Sequence, residues 1–125
     1  MIVLDASALI ALLKGELGAD FVSAHINRSI MSTVNLAETL TKMAEDGGDA
    51  MAIKAALDKS PIKFVPVSEG HAIAAAQLRI PTKPYGLSLG DRMCFALALE
   101  AGLPVLAADR IWGKLDLGVK VVLIR

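Results

Sequence analysis

The sequence predicts a three-layer α/β/α sandwich built on a five-stranded parallel sheet. Short, continuously apolar runs alternate with helical patterns of about ten residues, as in βαβ units. The apolar runs lack polar alternation, which is typical of strands covered by helices on both faces. No internal repeat or linker interrupts the 125 residues, so we expect one domain over residues 1–125.

The first half of the chain predicts two strands and three helices. Glycines end two of the helices, at Gly15 and at Gly47-Gly48, and Leu36, Leu40 and Met43 share one face of the third. In chain order we expect a strand at 2–4, helices at 7–13 and 19–26, a strand at 29–32 and a helix at 33–46.

The second half repeats this alternation with three strands and three helices. Ser60-Pro61, Pro81 and Gly102 end its helices, and the glycine and proline residues within 82–89 predict a loop. In chain order we expect a helix at 50–59, a strand at 63–65, helices at 70–79 and 90–101, and strands at 104–106 and 119–124.

Composition excludes several classes of protein. Thirteen basic residues balance thirteen acidic ones, which argues against a simple basic nucleic-acid clamp, and five aromatic residues are too few for a base-stacking platform. The single cysteine, Cys94, excludes an internal disulfide. The first residues do not resemble a signal peptide and no apolar run is long enough to span a membrane, so we expect a cytoplasmic protein without a membrane partner.

Four acidic residues fall where ligands bind in α/β proteins. Asp5 directly follows the first strand, and Asp109 follows the strand at 104–106. Glu38 and Asp91 lie in the first turns of the helices at 33–46 and 90–101. Ligands of open α/β sheets bind beyond the carboxyl ends of the strands, where the winding direction reverses. If the first and fourth strands are neighbours there, Asp5 and Asp109 lie side by side.

Each of these acids also has a purely structural interpretation. Asp5 and Asp109 can cap helices, the segment Ser88–Asp91 fits a capping box, and Asn35–Glu38 fits a related one. Four carboxylates converging on one cleft, however, would repel one another unless a cation neutralised them. Oxygen ligands without Cys or His suit Mg²⁺ or Mn²⁺, which commonly activates a water and contacts phosphate.

At these positions the sequence resembles the PIN domain, and in length and motif order the VapC-type toxins of toxin–antitoxin pairs. The resemblance covers essentially the whole chain. Four motifs carry it: Asp5-Ala6-Ser7, Asn35-Leu36-Ala37-Glu38, Ser88-Leu89-Gly90-Asp91 and Leu106-Ala107-Ala108-Asp109-Arg110-Ile111-Trp112.

The resemblance implies a Mg²⁺- or Mn²⁺-dependent endoribonuclease with strand order 3-2-1-4-5, forming a homodimer and inhibited by a cognate antitoxin protein. Its catalytic and metal-binding quartet is Asp5, Glu38, Asp91 and Asp109. Asp5 and Asp91 would hold the ion directly or through water, with Asp109 completing the site. Glu38 would be a ligand or would deprotonate the attacking water. Ala107 departs from the family, whose members often carry Thr or Ser there.

RNA contacts are assigned to four further residues. Ser7 matches the small polar residue that the family places two positions after the first Asp. Arg92 and Arg110 each follow a proposed ligand and would reach phosphates, although pairing with local acids explains them equally well. Tyr85, in the loop before the Asp91 helix, would stack on one base.

Two other functions remain open: a PIN nuclease acting in RNA processing or on DNA, and an interaction domain without catalysis. For the ribonuclease, the balanced charge is informative. With four of the thirteen acids committed to cations, nine acidic residues remain against thirteen basic ones, so the remaining surface attracts phosphate.

Overall fold

A computed structural model describes all residues 1–125. It shows a five-stranded parallel sheet with helices on both faces. The strands lie in the order β3-β2-β1-β4-β5, which confirms the predicted order. They are β1 (Ile2–Leu4), β2 (Ser29–Ser32), β3 (Lys63–Val65), β4 (Val105–Ala107) and β5 (Val121–Leu123).

Seven helices connect the strands. They are α1 (Ala6–Lys14), α2 (Ala19–His25), α3 (Thr33–Glu45), α4 (Ala50–Asp58), α5 (Glu69–Gln77), α6 (Arg79–Thr82) and α7 (Leu89–Ala101). Short 3-10 turns occupy Ile26–Arg28, Lys83–Tyr85 and Arg110–Lys114. None of the helices combines the length and apolar character needed to cross a bilayer.

Each face of the sheet buries its own apolar core, because successive strand side chains point to opposite faces. Leu4 belongs to the core beneath α1 and α3, which includes Leu9 and Met31. Its neighbour Val3 belongs to the core beneath α7, which includes Phe95. This two-sided burial explains why the strands are apolar throughout.

The structure differs from the predicted elements mainly after α5. Residues 82–89 were expected to form a loop, but the short helix α6 extends to Thr82 and a 3-10 turn follows it. Pro81 is tolerated inside α6 because it lies in the first turn, where its missing N–H has no intrahelical partner. The fifth strand is shorter than the predicted 119–124, and the fourth starts one residue later than expected.

The winding direction of the sheet reverses between β1 and β4. These two strands pair in parallel, with Val3 opposite Val105 and Leu4 opposite Leu106, and β2 lies on the other side of β1. The Asp5 amide continues this ladder by donating to the Leu106 carbonyl at 3.0 Å. The residues that follow β1 and β4 therefore emerge side by side, as the sequence predicted.

Candidate active site

A cleft of about 380 Å³ opens at the carboxyl end of the sheet, next to this reversal point. All four acids of the predicted quartet line it, although they come from four separate segments of the chain. The lining residues are Asp5, Ala6, Ser7, Ile10, Lys14, Glu16, Glu38, Lys42, Asp91, Asp109, Trp112 and Arg125. The tertiary fold thus brings together acids that lie up to about a hundred residues apart in the sequence.

Asp5 lies at the base of the cleft and is the N-cap of α1. Its Oδ2 accepts the Ser7 backbone N–H at 3.0 Å and the Ser7 hydroxyl at 2.6 Å. The same hydroxyl accepts the Ala108 N–H, at 2.9 Å. Ser7 therefore ties the carboxylate at the end of β1 to the chain that leaves β4.

The Asp5 carboxyl is only 4% exposed, and burial raises its pKa from 3.8 to about 6. The hydrogen bonds from Ser7 act in the opposite direction, whereas the negative charges of Asp91 and Glu38 raise the pKa further. Its second oxygen, Oδ1, is buried and has no hydrogen-bond partner. Such an oxygen is a free acceptor for a cation or a proton at the base of the cleft.

Asn35 positions Glu38 by hydrogen-bonding both to it, on α3, and to α7. Buried Asn35 donates from Nδ2 to Glu38 Oε1 at 2.8 Å and to the Gly90 carbonyl of α7 at 3.0 Å. A Cβ added at Gly90 would overlap the Glu38 carboxylate, so only glycine leaves room for it. Burial, and secondarily Asp91, raise the pKa of Glu38 above its usual value, while the Asn35 hydrogen bond lowers it.

Asp91 and Asp109 serve as helix caps as well as lining the cleft. Ser88 and Asp91 form the predicted capping box: Asp91 Oδ2 accepts the Ser88 N–H at 2.9 Å, and Ser88 Oγ accepts the Asp91 N–H at 3.2 Å. Asp109 Oδ1 accepts the Ile111 N–H at 3.1 Å.

The interpretation of Asn35–Glu38 as a second capping box is wrong. Ser32 caps α3 instead, through a hydrogen bond from the Val34 N–H, and Asn35 lies inside the helix. Its amide is consequently available for the contact with α7.

Two apolar side chains support the acids from below. Trp112 is buried against Phe95, with ring centroids 4.7 Å apart, and fixes the turn that carries Asp109. Cys94 is a buried free thiol whose pKa is raised by burial and then by the charges of Asp5, Asp91 and Glu38.

The site fits a hard divalent cation held partly through water. No three of the His, Cys, Asp and Glu side chains are grouped closely enough to hold an ion together. Mg²⁺ typically uses one or two carboxylates and keeps several waters, so it does not require such a group. The free Asp5 Oδ1, the raised pKa values and the all-oxygen donor set match that mode of binding.

Three residues assigned to RNA contacts do not line the cleft. Arg92 turns away from it and donates from Nη1 to the Ala75 carbonyl of α5 at 2.9 Å. Arg110 and Tyr85 are exposed outside it. Ser7 does line the cleft, where its hydroxyl is engaged by Asp5 and Ala108.

Several residues of the site were not predicted from the sequence. Lys14, Lys42 and Arg125 line the cleft, and Asn35 with Gly90 positions Glu38. Some signals were present: Lys42 is four residues after Glu38 on one helix, and a glycine inside a helix usually has a packing reason. Nothing local indicated that the C-terminal Arg125 approaches the cleft.

Comparisons with known proteins agree with this geometry. No curated protein matches the sequence. Among solved structures, a toxin–antitoxin complex from Klebsiella pneumoniae aligns with a TM-score of 0.78 at 20% identity, covering 100% of this chain and 98% of that one. VapC20 from Mycobacterium tuberculosis, a toxin that cleaves the sarcin–ricin loop, aligns with a TM-score of 0.76 at 19% identity over 96% and 99%.

A third structure, VapBC-5 from Mycobacterium tuberculosis, a member of the VapBC family of toxin–antitoxin systems, is 25% identical. It aligns with a TM-score of 0.66 over 99% of this chain and 97% of that one. The likeness to these structures extends over the whole sheet and its helices. The PIN domain family model matches residues 2–117, which include all four acids of the predicted quartet. The chain belongs to the PIN domain family.

Proposed function

We propose that this protein is a Mg²⁺- or Mn²⁺-dependent endoribonuclease that acts as the toxin of a VapBC-type toxin–antitoxin pair. The observation that carries the proposal is Asp5, a buried carboxyl with a free oxygen, at the reversal point of a PIN-domain sheet. A buried carboxylate whose charge is not balanced destabilises the folded state. A cation bound at Asp5 would balance that charge, which explains why a carboxyl lies there.

The proposed residues divide the chemistry among them. Asp5 and Asp91 would hold the ion directly or through water, and Asp109 would complete the site from its exposed edge. A bound divalent ion supplies positive charge for the scissile phosphate and lowers the pKa of its water. Glu38 would take the proton of the attacking water, a role favoured by the raised pKa of its half-buried carboxyl.

Neutralising Asp5 tests the proposal. We expect Asp5→Asn to reduce metal-dependent cleavage of total RNA by about 10³-fold or more, because it removes the deepest carboxylate without changing its shape. The matched control is Asp116→Asn, the same change at an exposed acid outside the cleft. Cleavage is followed by gel electrophoresis and end mapping, with Mg²⁺, Mn²⁺ or EDTA.

Metal binding provides a second readout that does not depend on finding the right RNA. Mn²⁺ should raise the melting temperature of the wild type and of Asp116→Asn, and should leave that of Asp5→Asn unchanged. Full cleavage by Asp5→Asn, or equal Mn²⁺ stabilisation of all three proteins, would refute the assignment of Asp5.

The toxin role and the protein partners are proposed from the solved structures that share this fold. The aligned structures include toxin–antitoxin complexes, so we propose a cognate antitoxin and a homodimer for this chain as well. Exposed apolar side chains are available for such interfaces: Leu17, Phe21 and Met51 near α2 and α4, and Ile73 and Ile80 on α5 and α6. Co-expression with the product of a neighbouring small reading frame, followed by copurification, tests this part.

An interaction domain without catalysis is the second candidate, and one observation favours it. Asp5, Asp91 and Asp109 all accept backbone N–H groups at the starts of helices, a role that needs no metal. Absence of metal-dependent cleavage of every RNA pool, together with absence of Mn²⁺ stabilisation, would favour this function over the nuclease. A PIN nuclease of RNA processing or of DNA would instead cleave without a toxic effect on the cell.

A further inference from the structure

The cleft that holds the acids also has a basic end. Lys14, Lys42 and Arg125, which we call the basic rim, line the same cleft as Asp5 and Glu38. None of the three contacts a quartet acid through a hydrogen bond or ion pair. The quartet acids and the rim cations therefore occupy different parts of the cleft, and Glu16, beside Arg125, is the one lining acid on the rim side.

Helix geometry sets the distance between the two ends. Ser7, Ile10 and Lys14 line the cleft at spacings of three and four, so one face of α1 forms its wall. At 1.5 Å per residue, Lys14 lies about 10 Å along α1 from Ser7. On α3, Lys42 follows Glu38 by one helical turn, so both walls run from acid to base in the same direction.

The rim cations are only partly neutralised. Asp46 pairs with Lys14 and lies 3.6 Å from the Lys42 ammonium, so one carboxylate is shared between two lysines. Arg125 Nη1 donates to the Leu17 carbonyl at 2.9 Å and lies 3.4 Å from Glu16. Three cations thus face two carboxylates. Each lysine ammonium has three N–H donors, and one carboxylate shared between two lysines leaves some of these donors free.

Resting on the ribonuclease function proposed above, we propose that the basic rim binds backbone phosphates of the single RNA strand whose scissile phosphate lies at the acidic end. A strand entering the cleft must bring further phosphates past four carboxylates. Cations placed one to two helical turns beyond Glu38 and Ser7 offset the repulsion and orient the strand. Lysine suits this role as a compact charge that contacts phosphate without reading bases.

The rim also replaces the contacts that the sequence predicted. Arg92 is engaged with α5, and neither Arg110 nor Tyr85 lines the cleft. The one aromatic residue of the cleft, Trp112, is buried against Phe95 and offers no free face for stacking. Binding through phosphates, without base stacking, is what these side chains permit.

The test measures RNA binding in a background that does not cleave. Asp5→Asn protein is titrated into a fluorescent single-stranded oligoribonucleotide in Mg²⁺, and anisotropy is recorded at several salt concentrations. Lys14→Ala and Lys42→Ala should each weaken binding and each reduce the slope of log K against log salt by about 0.7, the loss of one phosphate contact. Lys120→Ala, at an exposed lysine outside the cleft, should change neither quantity.

Asp46→Asn separates phosphate binding from a structural role of the ion pair. It breaks the same pair as Lys14→Ala but leaves both lysines in place. We expect it to strengthen RNA binding about fivefold, the effect of removing one unit charge close to a phosphate in water. If the pair only supports the fold, both variants weaken binding together, and the proposal is wrong.

Other outcomes show whether the phosphate-binding role of the basic rim is wrong or the proposed nuclease function itself is wrong. Metal-dependent cleavage by the wild type, with RNA binding unaffected by Lys14→Ala and Lys42→Ala, overturns the rim and leaves the nuclease. No cleavage and no binding overturns both. If a polyglutamate peptide binds through the two lysines and the oligoribonucleotide does not, the rim is a site for an acidic protein segment.

Discussion

The four acids of the predicted quartet form two pairs that are held in different ways. Asp5 and Glu38, the inner acids, accept hydrogen bonds from side chains, those of Ser7 and Asn35, and burial raises both of their pKa values. Asp91 and Asp109, the outer acids, accept only backbone N–H groups of the turns that they cap. The side chains that hold the inner pair also contact a neighbouring element, at Ala108 and at Gly90.

Local sequence positions the outer acids, whereas tertiary contacts give the inner acids their chemistry. A capping carboxylate is specified by a few consecutive residues and stays close to solvent. A buried carboxyl is destabilising unless protonated or bound to a cation. The inner pair is therefore the part of the cleft where the proposed metal ion would compete with a proton.

After the loss of the Asp5 carboxylate itself, the largest effect on cleavage is expected from Gly90→Ala. The added methyl group would overlap the Glu38 carboxylate and displace that side chain from its hydrogen bond with Asn35. The helix backbone itself accepts alanine readily. We expect kcat/KM on a cleavable oligoribonucleotide to fall about 100- to 1,000-fold, as for a displaced catalytic base.

Gly70→Ala is the matched control for this change. Gly70 and Gly90 are both the second residue of a helix that begins with a serine capping box. A Cβ at Gly70 would meet only Ser68 Oγ, at an ordinary 3.6 Å. Undiminished activity of Gly90→Ala would show that the position of Glu38 is not critical.

The second prediction concerns the stability of the metal-free protein. Because the pKa of Asp5 is raised to about 6, the native state binds more protons than the unfolded state between about pH 4 and pH 6. The contribution of Asp5 to stability therefore falls as the pH rises through this window. Asp5→Asn should be more stable than the wild type above pH 7, by at most about 3 kcal/mol, and the gain should vanish near pH 4.

Urea denaturation in EDTA at several pH values measures this difference. Asp109→Asn makes the same change at an exposed outer acid and keeps a capping side chain, so it removes no buried charge and should leave the stability nearly unchanged. Equal behaviour of the two variants would contradict the distinction between inner and outer acids.

The same distinction explains what could be predicted from the sequence. The strands, the Ser88–Asp91 capping box and the convergence of four acids depend on periodicity, turn residues and the topology of α/β sheets, whereas the strand order was implied by the resemblance to the PIN domain. The role of Asn35 could not be predicted, because its partner Gly90 lies 55 residues away and the local pattern imitates a cap. Hydrogen bonds between residues this far apart in the sequence leave no pattern in the local sequence.

The basic end of the cleft was missed for a related reason. Arg92 and Arg110 were chosen because they are adjacent in sequence to predicted ligands, but adjacent residues on a helix point in different directions. Lys14 and Lys42 share helix faces with Ser7 and Glu38, at spacings of seven and four residues. Helical spacing from the acids predicts cleft residues better than adjacency does.

The smallest effect is expected from Ser7→Ala, and it tests whether the inner site depends on its tertiary contact. The Ser7 hydroxyl is the only side-chain group that donates to Asp5 Oδ2, and it also accepts the Ala108 N–H. Its loss should cost about 1 kcal/mol in urea denaturation and raise the pKa of Asp5 further, so that Mn²⁺ stabilisation at pH 6 weakens. Ser88→Ala, which removes the cap of the Asp91 helix, should cost a similar amount without changing the pH dependence of Mn²⁺ stabilisation. Equal shifts in both variants would mean that the hydroxyl acts through the fold alone, whereas a shift confined to Ser7→Ala shows that it tunes the carboxyl.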